Sequence, residues 1–234
     1  APFDLHIKQL SVAFDDHKIL NDISLHITSG QIIALVGRNG VGKTTLLRAL
    51  AGLQRFQGVV SVVAETGSDT AQFNMIFQNP DTQLFNPSVR EEILYKISHV
   101  QLELYEWLLN ALDLKRYEYT APLLLSEGEK RRVALATALM HLSKHGVLLD
   151  EPSLGQDQAH KEILVQLLRV MAQSGWLVIF STHDLDLAAQ ADKLILMNTT
   201  GIVRYGPAQN ILEDACAWEE VGLAHPDWMK PTCD

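Results

Sequence analysis

Residues 32–36 form an unbroken apolar run that passes directly into Gly37-Arg38-Asn39-Gly40-Val41-Gly42-Lys43-Thr44. No other stretch restricts the fold as much. A continuous apolar run of this length predicts a strand buried on both faces, as in a parallel sheet. The residues after it fit the spacing G-x-x-x-x-G-K-[ST]. Glycines at those positions admit positive φ and close backbone approach, so several amides can point at one anion. A helix predicted over residues 43–52 turns its positive dipole end toward the same anion. The Lys43 ammonium then reaches the β- and γ-phosphates of a nucleotide, and the Thr44 hydroxyl takes a Mg²⁺ position. The pattern here also follows a buried strand and opens a helix, the context that the motif requires.

The rest of the chain organises around that unit. Residues 5–14, 23–27, 59–64 and 74–78 read as strands, with a turn at Asp15-Asp16-His17. Residues 79–87 are polar and turn-rich. Ser88-Val89-Arg90-Glu91 and Ser126-Glu127-Gly128-Glu129 both match the capping box that opens a helix, the second helix running to about residue 141. Helical patterning also covers residues 100–114. Residues 146–149, 176–180 and 194–197 then read as short buried strands, with a helix over Gln158–Gln173. Strand–helix alternation of this kind predicts one parallel α/β core, interrupted by a helical insert from about residue 80 to 143.

Three side chains complete a phosphate site. The strand at 146–149 leads into Asp150-Glu151, at the sheet edge where open α/β folds bind ligands. Asp150 suits a hydrated Mg²⁺, and Glu151 can orient or deprotonate a water beside the γ-phosphate. His183, after the next buried strand, reaches the γ-phosphate and steadies Glu151. His141 and His145 share helical spacing without a third ligand and read as solvated helix-end residues.

Composition excludes several classes. The chain has 234 residues, enough for one or two domains, and its 19 Lys and Arg against 28 Asp and Glu give a net charge of −9. That balance disfavours a nucleic-acid partner. No apolar run approaches the ~18 residues that cross a bilayer. No secretory leader is expected, and a first residue other than Met reads as processing or as a piece of a longer chain. Two cysteines, Cys216 and Cys233, make no disulfide framework and fit a reducing compartment.

Taken in order, Phe14, GRNGVGKTT (residues 37–45), Gln78, LSEGE (125–129), VLLDE (147–151), SLGQD (153–157) and His183 resemble the aromatic loop, Walker A, glutamine loop, signature, Walker B, D-loop and histidine loop of the ATP-binding cassette (ABC) family. The resemblance spans nearly the whole chain. It implies a P-loop NTPase (RecA-like) parallel core sheet, an N-terminal antiparallel β subdomain and an inserted α-helical subdomain. In one domain over 1–234, the core would take residues 1–79 and 144–214, the helical signature subdomain 80–143, and a C-terminal tail 215–234. It further implies an ATPase that uses ATP and Mg²⁺. Phe14, Gly37, Arg38, Asn39, Gly40, Val41, Gly42, Lys43, Thr44, Thr45 and Gln78 would contact the nucleotide, with Ser126, Gly128 and Asp157. Thr44, Gln78 and Asp150 would hold the metal; Glu151, His183 and Lys43 would act in catalysis. Phe14 stacked on adenine would contribute about 1–3 kcal/mol; as a plain edge-strand residue it would contribute nothing.

The signature departs from the commoner LSGGQ, with Glu127 and Glu129 in place of Gly and Gln. Glu serves a capping box as well as Gln does. In the family, however, this helix end meets ATP held by a second cassette, and two carboxylates there offset the helix dipole. Lys130, Arg131 and Arg132 either compensate or form a solvated basic turn.

Phe77-Gln78-Asn79-Pro80-Asp81-Thr82-Gln83-Leu84-Phe85, followed by Pro87-Ser88-Val89-Arg90-Glu91-Glu92, is similar to the energy-coupling-factor (ECF) and cobalt-type importers. That likeness implies a vitamin or metal importer, a second cassette (identical or paralogous), a transmembrane coupling subunit docked on residues 78–92, and a peripheral position on the cytoplasmic face of the membrane. Leu84 and Phe85 are expected to be exposed contact residues. The alternatives are a weakly active or non-catalytic structural cassette in a heterodimer, and a conventional ABC importer or exporter ATPase. The tail beyond residue 214 (Trp218, Gly222, Leu223, Pro226, Trp228) either adds dimer contact or packs on the core. A DNA-maintenance ATPase would need a long coiled coil between Gln78 and Ser126, and a ribosome-acting protein a second Walker A.

Overall fold

A computed structural model describes residues 2–15, 17–65, 67–141 and 143–224. In chain order the elements begin with β1 (Phe3–Phe14), β2 (His17–Thr28), β3 (Ile32–Gly37), α1 (Lys43–Leu50), β4 (Gln57–Ala64), β5 (Gly67–Thr70) and β6 (Phe73–Ile76). Helices α2 (Val89–Ile93), α3 (Leu102–Ala111) and α4 (Glu127–Met140) follow. The chain then runs through β7 (Gly146–Asp150), α5 (Gln158–Gln173), β8 (Leu177–Thr182), α6 (Leu185–Ala188), β9 (Lys193–Asn198), β10 (Gly201–Pro207), α7 (Ala208–Glu213) and α8 (Ala215–Glu220).

Two sheets result. One is antiparallel, in the order β2-β1-β4-β5; the other runs β10-β9-β3-β8-β7-β6. Every pairing in the second is parallel except β9 with β10. Alternate residues of its central strands feed two cores. Ile33, Leu35, Leu148, Ile179, Ile195 and Met197 pack with α1 and the antiparallel sheet. Ala34, Val36, Val147, Leu149, Val178 and Phe180 pack with α3, α4 and α5. Burial on both faces is why these strands read as continuous apolar runs.

Some elements differ from the sequence reading. Strand β2 starts at His17, well before residue 23, and β5, β10 and α6–α8 were not anticipated. Register shifts in β1–β2, with Gln9 and Asp22 at φ 52°, break the alternation that marks a half-buried strand. Strand β5 is exposed throughout, so it carries no hydrophobic signal.

Helix α4 opens on the full reciprocal capping box of Ser126 and Glu129. At α2 only half of the box forms. Ser88 Oγ accepts from Glu91 N at 3.2 Å, but the Glu91 carboxylate accepts from the Ser88 hydroxyl instead of its amide. Between α2 and α3, Glu118 is buried and accepts hydrogen bonds from Arg90 Nη1, Tyr105 Oη and Lys115 Nζ, each at 2.9 Å.

Three expectations are corrected. Leu84 is only 4% exposed and lies in the core, whereas Phe85 is 65% exposed with its ring edge-on to Tyr95. The loop bends at this point, where buried Glu92 accepts from the Phe85 and Asn86 amides and Leu84 turns inward. His145 is not solvated: it is 4% exposed, and its Nδ1 accepts from Gln72 N at 3.0 Å. Lys130 and Arg132 are also buried, so the basic residues do not form a solvated turn. Of the tail, Trp218 is fully buried and donates Nε1–H to the Ile211 carbonyl, so α8 packs on the core. Asp16, Pro226, Trp228 and Cys233 lie outside the described residues.

Candidate active site

The site follows from strand register. Because β3, β7 and β8 are parallel, their C-terminal ends emerge along one edge, with Asp150 opposite Ser181 and Val36 opposite Thr182. The loop after β3 turns through Gly40 and Gly42, at φ 86° and 102°. At Gly42 a Cβ would lie 2.7 Å from Leu20 Cδ2, so both the backbone conformation and the close approach require glycine. Gly42 is the N-cap of α1, which leaves the first amides of that helix facing the loop.

Lys43 is buried at the start of α1, and its ammonium donates to the carbonyls of Gly37 (2.7 Å) and Arg38 (3.2 Å). Burial pushes its pKa below the usual lysine range, while the charges of Glu151 and Asp150 pull the other way. Thr44 Oγ1 donates to Asp150 Oδ2 at 2.8 Å, and Ser181 Oγ donates to Asp150 Oδ1 at 2.6 Å. His183 Nδ1 lies 2.8 Å from Glu151 Oε2. An ionised Glu151 makes that nitrogen the protonated one.

Glu151 has φ 50°, in the left-handed region that a side chain with Cβ seldom occupies. Its neighbours hold it there. The Glu151 amide donates to Ser181 Oγ (3.0 Å) and the Ser181 carbonyl (3.2 Å), and Arg131 Nη1 donates to the Glu151 carbonyl at 3.1 Å. Ser181 and Arg131 were missed as site residues in the sequence. Ser181 lies two residues before His183 on a buried strand, a position that carries no chemical signal until β7 and β8 are paired.

A cleft of about 420 Å³ opens over this row, lined by Phe14, Asn39, Gly40, Gly42, Lys43, Thr44, Thr45, Gln78, Asp150 and Glu151, with Ile19. Phe14 is 48% exposed at the cleft; it pairs with His17 of β2, and the pairing of β1 with β4 ends at Ser11. Val41 turns its side chain into the core, and Gly37 contributes its carbonyl to Lys43. Arg38 is exposed beside the loop.

Ser126, Gly128 and Asp157 do not line the cleft. Glu129 Oε2 accepts from both the amide and the hydroxyl of Ser126 at 2.8 Å. A hydrogen bond from Tyr117 is the largest influence on the Glu129 carboxyl; with those from Ser126 it outweighs desolvation and lowers the pKa to about 2. Lys130 Nζ pairs with Asp81 (2.7 Å) and Glu127 (3.5 Å). Asp157 caps α5 through His160 N at 2.9 Å, and Gln156 Nε2 donates to the Gly128 carbonyl at 3.2 Å, joining the loop after Glu151 to the start of α4.

Chemically, the cleft joins a cationic, amide-lined loop for phosphates to a row of hard oxygen donors and a braced carboxylate. Residues 20–154 match the family described as "ABC transporter". A cobalt import ATP-binding protein of Rhodobacter capsulatus is 33% identical over 225 residues, covering 89% of this chain and 80% of the relative. An energy-coupling factor transporter ATP-binding protein of Listeria monocytogenes is 31% identical over 221 residues, covering 88% of this chain and 79% of the relative. The solved structure of cbiO1 from Clostridium perfringens shares the fold, with a TM-score of 0.74 at 24% identity over 93% of this chain and 94% of that one. Loop, carboxylates, fold and family match agree: the chain belongs to the ABC transporter family.

Proposed function

We propose that this ABC-family ATPase powers solute transport across a membrane, as one cassette of a head-to-tail pair docked on transmembrane subunits of an ECF-type vitamin or metal importer. The observation that carries the reading is the continuous hydrogen-bonded row Thr44–Asp150–Ser181–Glu151–His183 at the mouth of the phosphate loop. The likeness to the cobalt and energy-coupling-factor proteins supports the importer class. No described helix is long and apolar enough to cross a membrane, which fits a peripheral subunit on the cytoplasmic face.

In this reading Lys43 leaves the Gly37 and Arg38 carbonyls for the β- and γ-phosphates. Arg38, Asn39, Gly40, Val41, Gly42 and Thr45 supply loop contacts, and Phe14 stacks on the base. The hard oxygens of Thr44, Asp150 and Gln78, two of them already 2.8 Å apart, fit a Mg²⁺ ion. When bound, the ion supplies charge neutralisation for the phosphates. Glu151 takes a proton from the attacking water as the bond to the γ-phosphorus forms, releasing ADP and phosphate. His183 holds the Glu151 carboxylate in line. Ser126, Gly128 and Asp157 face the nucleotide of the second cassette, and residues 78–92 with exposed Phe85 receive the membrane subunit. No nucleic acid takes part.

One observation favours a second reading, a weakly active structural cassette: the ionised Glu129 occupies the Ser126 hydroxyl at the signature helix. ATP hydrolysis by the wild type and the Glu151→Gln variant separates the two. Removing the base lowers kcat by about 10²-fold or more while ATP still binds. Equal turnover in the two proteins refutes Glu151 as base, and no turnover in either leaves the structural reading standing. Transmembrane subunits recovered with the native complex test the transport assignment.

A further inference from the structure

On the outer face of the antiparallel sheet, away from the nucleotide cleft, three potential ligands converge. Strand β1 alternates Phe3, Leu5 and Ile7 inward with Asp4 and His6 outward, so Asp4 and His6 share one face. The β1–β2 register pairs His6 directly with His26. The two imidazoles stack with centroids 4.6 Å apart, and His26 Nε2 lies 3.4 Å from Asp4 Oδ1. One ligand atom from each residue falls within 4.8 Å of the others, the only such group of His, Cys, Asp or Glu among the described residues.

We propose that Asp4, His6 and His26 form a binding site for a divalent transition-metal cation of the Zn²⁺, Co²⁺ or Ni²⁺ class, bridging β1 and β2. Two imidazoles and a carboxylate are a borderline donor set that favours these ions over Mg²⁺, the ion that accompanies ATP. Ligand bonds of about 2.0–2.2 Å require the donors to draw together by roughly 1 Å. Half-exposed side chains on a sheet surface can do this by χ rotation, and a water completes a tetrahedron. Direct cross-strand pairing fixes the two histidine Cβ atoms about 5 Å apart whether or not the ion is bound, so little backbone order has to be created. From His6 to Phe14 along β1 is about 25 Å of strand, so the site is separate from the cleft. Occupancy therefore clips the β1–β2 ribbon and adds stability to the folded chain, as any ligand of the native state does.

The test titrates Zn²⁺ into untagged, metal-stripped full-length protein by calorimetry, with Mg²⁺ in excess. One saturable equivalent is expected, together with a higher Tm. His26→Ala weakens binding by about tenfold or more, and His6→Ala with His26→Ala removes the equivalent and the Tm rise, while ATP hydrolysis stays at the wild-type rate. Absence of binding, or binding that survives the double substitution, overturns the proposal. Should the double variant fold poorly, Co²⁺ added to the wild type gives the answer: paramagnetic shifts at the His6 and His26 ring protons support the site, and shifts confined to other histidines refute it.

Discussion

Glu129 links the stability of α4 to the strength of the proposed dimer. Its carboxylate accepts from the amide and hydroxyl of Ser126 and from Tyr117, which holds its pKa near 2 against an ordinary 4.5. Taken at face value that gap is worth about 3 kcal/mol. The side chain is partly open to solvent, and screening reduces the figure to about 1 kcal/mol. The sign is that of a depressed acid: the stabilisation is complete above about pH 4.5 and is lost as pH falls toward 2. Glu129→Gln keeps the capping geometry and removes the charge. The monomer should lose about 1 kcal/mol at pH 7 by urea titration, and the difference from wild type should shrink toward pH 2. The dimer should respond in the opposite direction. A carboxylate about 8 Å from a phosphate charge costs about 0.5–2 kcal/mol at effective dielectric constants of 80 to 20. Removing it tightens ATP-driven association by about 2- to 30-fold, less at high salt. Sedimentation of Glu151→Gln with and without Glu129→Gln, in Mg-ATP, measures this. Unchanged or weaker association would show that Glu129 does not face a phosphate across the dimer.

Two further substitutions test other links. Ser181→Ala deprives Asp150 of a donor and Glu151 of one of two acceptors for its amide. Loss of about 1.5–3 kcal/mol there predicts a kcat lower by about 10- to 100-fold with KM for ATP nearly unchanged, and an unaltered kcat would remove Ser181 from the catalytic geometry. At Glu118, burial alone would raise the pKa, but hydrogen bonds from Lys115, Tyr105 and Arg90 outweigh it and hold it below the ordinary value. Its stabilisation is accordingly present at neutral pH and lost as pH falls below the unfolded carboxyl range. Glu118→Gln should lower stability by about 2–3 kcal/mol at pH 7, a loss that calorimetry would see and that wild-type protein should approach in acid.

The chemistry of this chain was legible wherever one local stretch carries it. Gly42, Lys43 and Thr44 announce a phosphate site because a tight turn, a cation and a helix start must be adjacent in sequence to act together. The helix Gln158–Gln173, read between two buried strands, matches the structure to the residue, and Asp157 caps it. Strand β5 and the first half of β2 were not legible, since bulges and full exposure erase periodicity. Leu84 and His145 were misassigned for a related reason. Each sits in a polar stretch, and only the loop bend around Glu92 or the pairing of Gln72 with the imidazole carries it inside.

Local physics in the chain therefore settles the phosphate loop, the capping of α4 and the acids at the end of β7. Tertiary structure decides what braces them. Ser181 lies 31 residues from Asp150, and Arg131 lies 20 from Glu151; both meet their partners only when β7, β8 and α4 are assembled. The left-handed backbone of Glu151 costs energy; beyond the local bond from the Leu154 amide to its carbonyl, Ser181 accepts from its amide and Arg131 donates to its carbonyl, and these distant residues hold it in place.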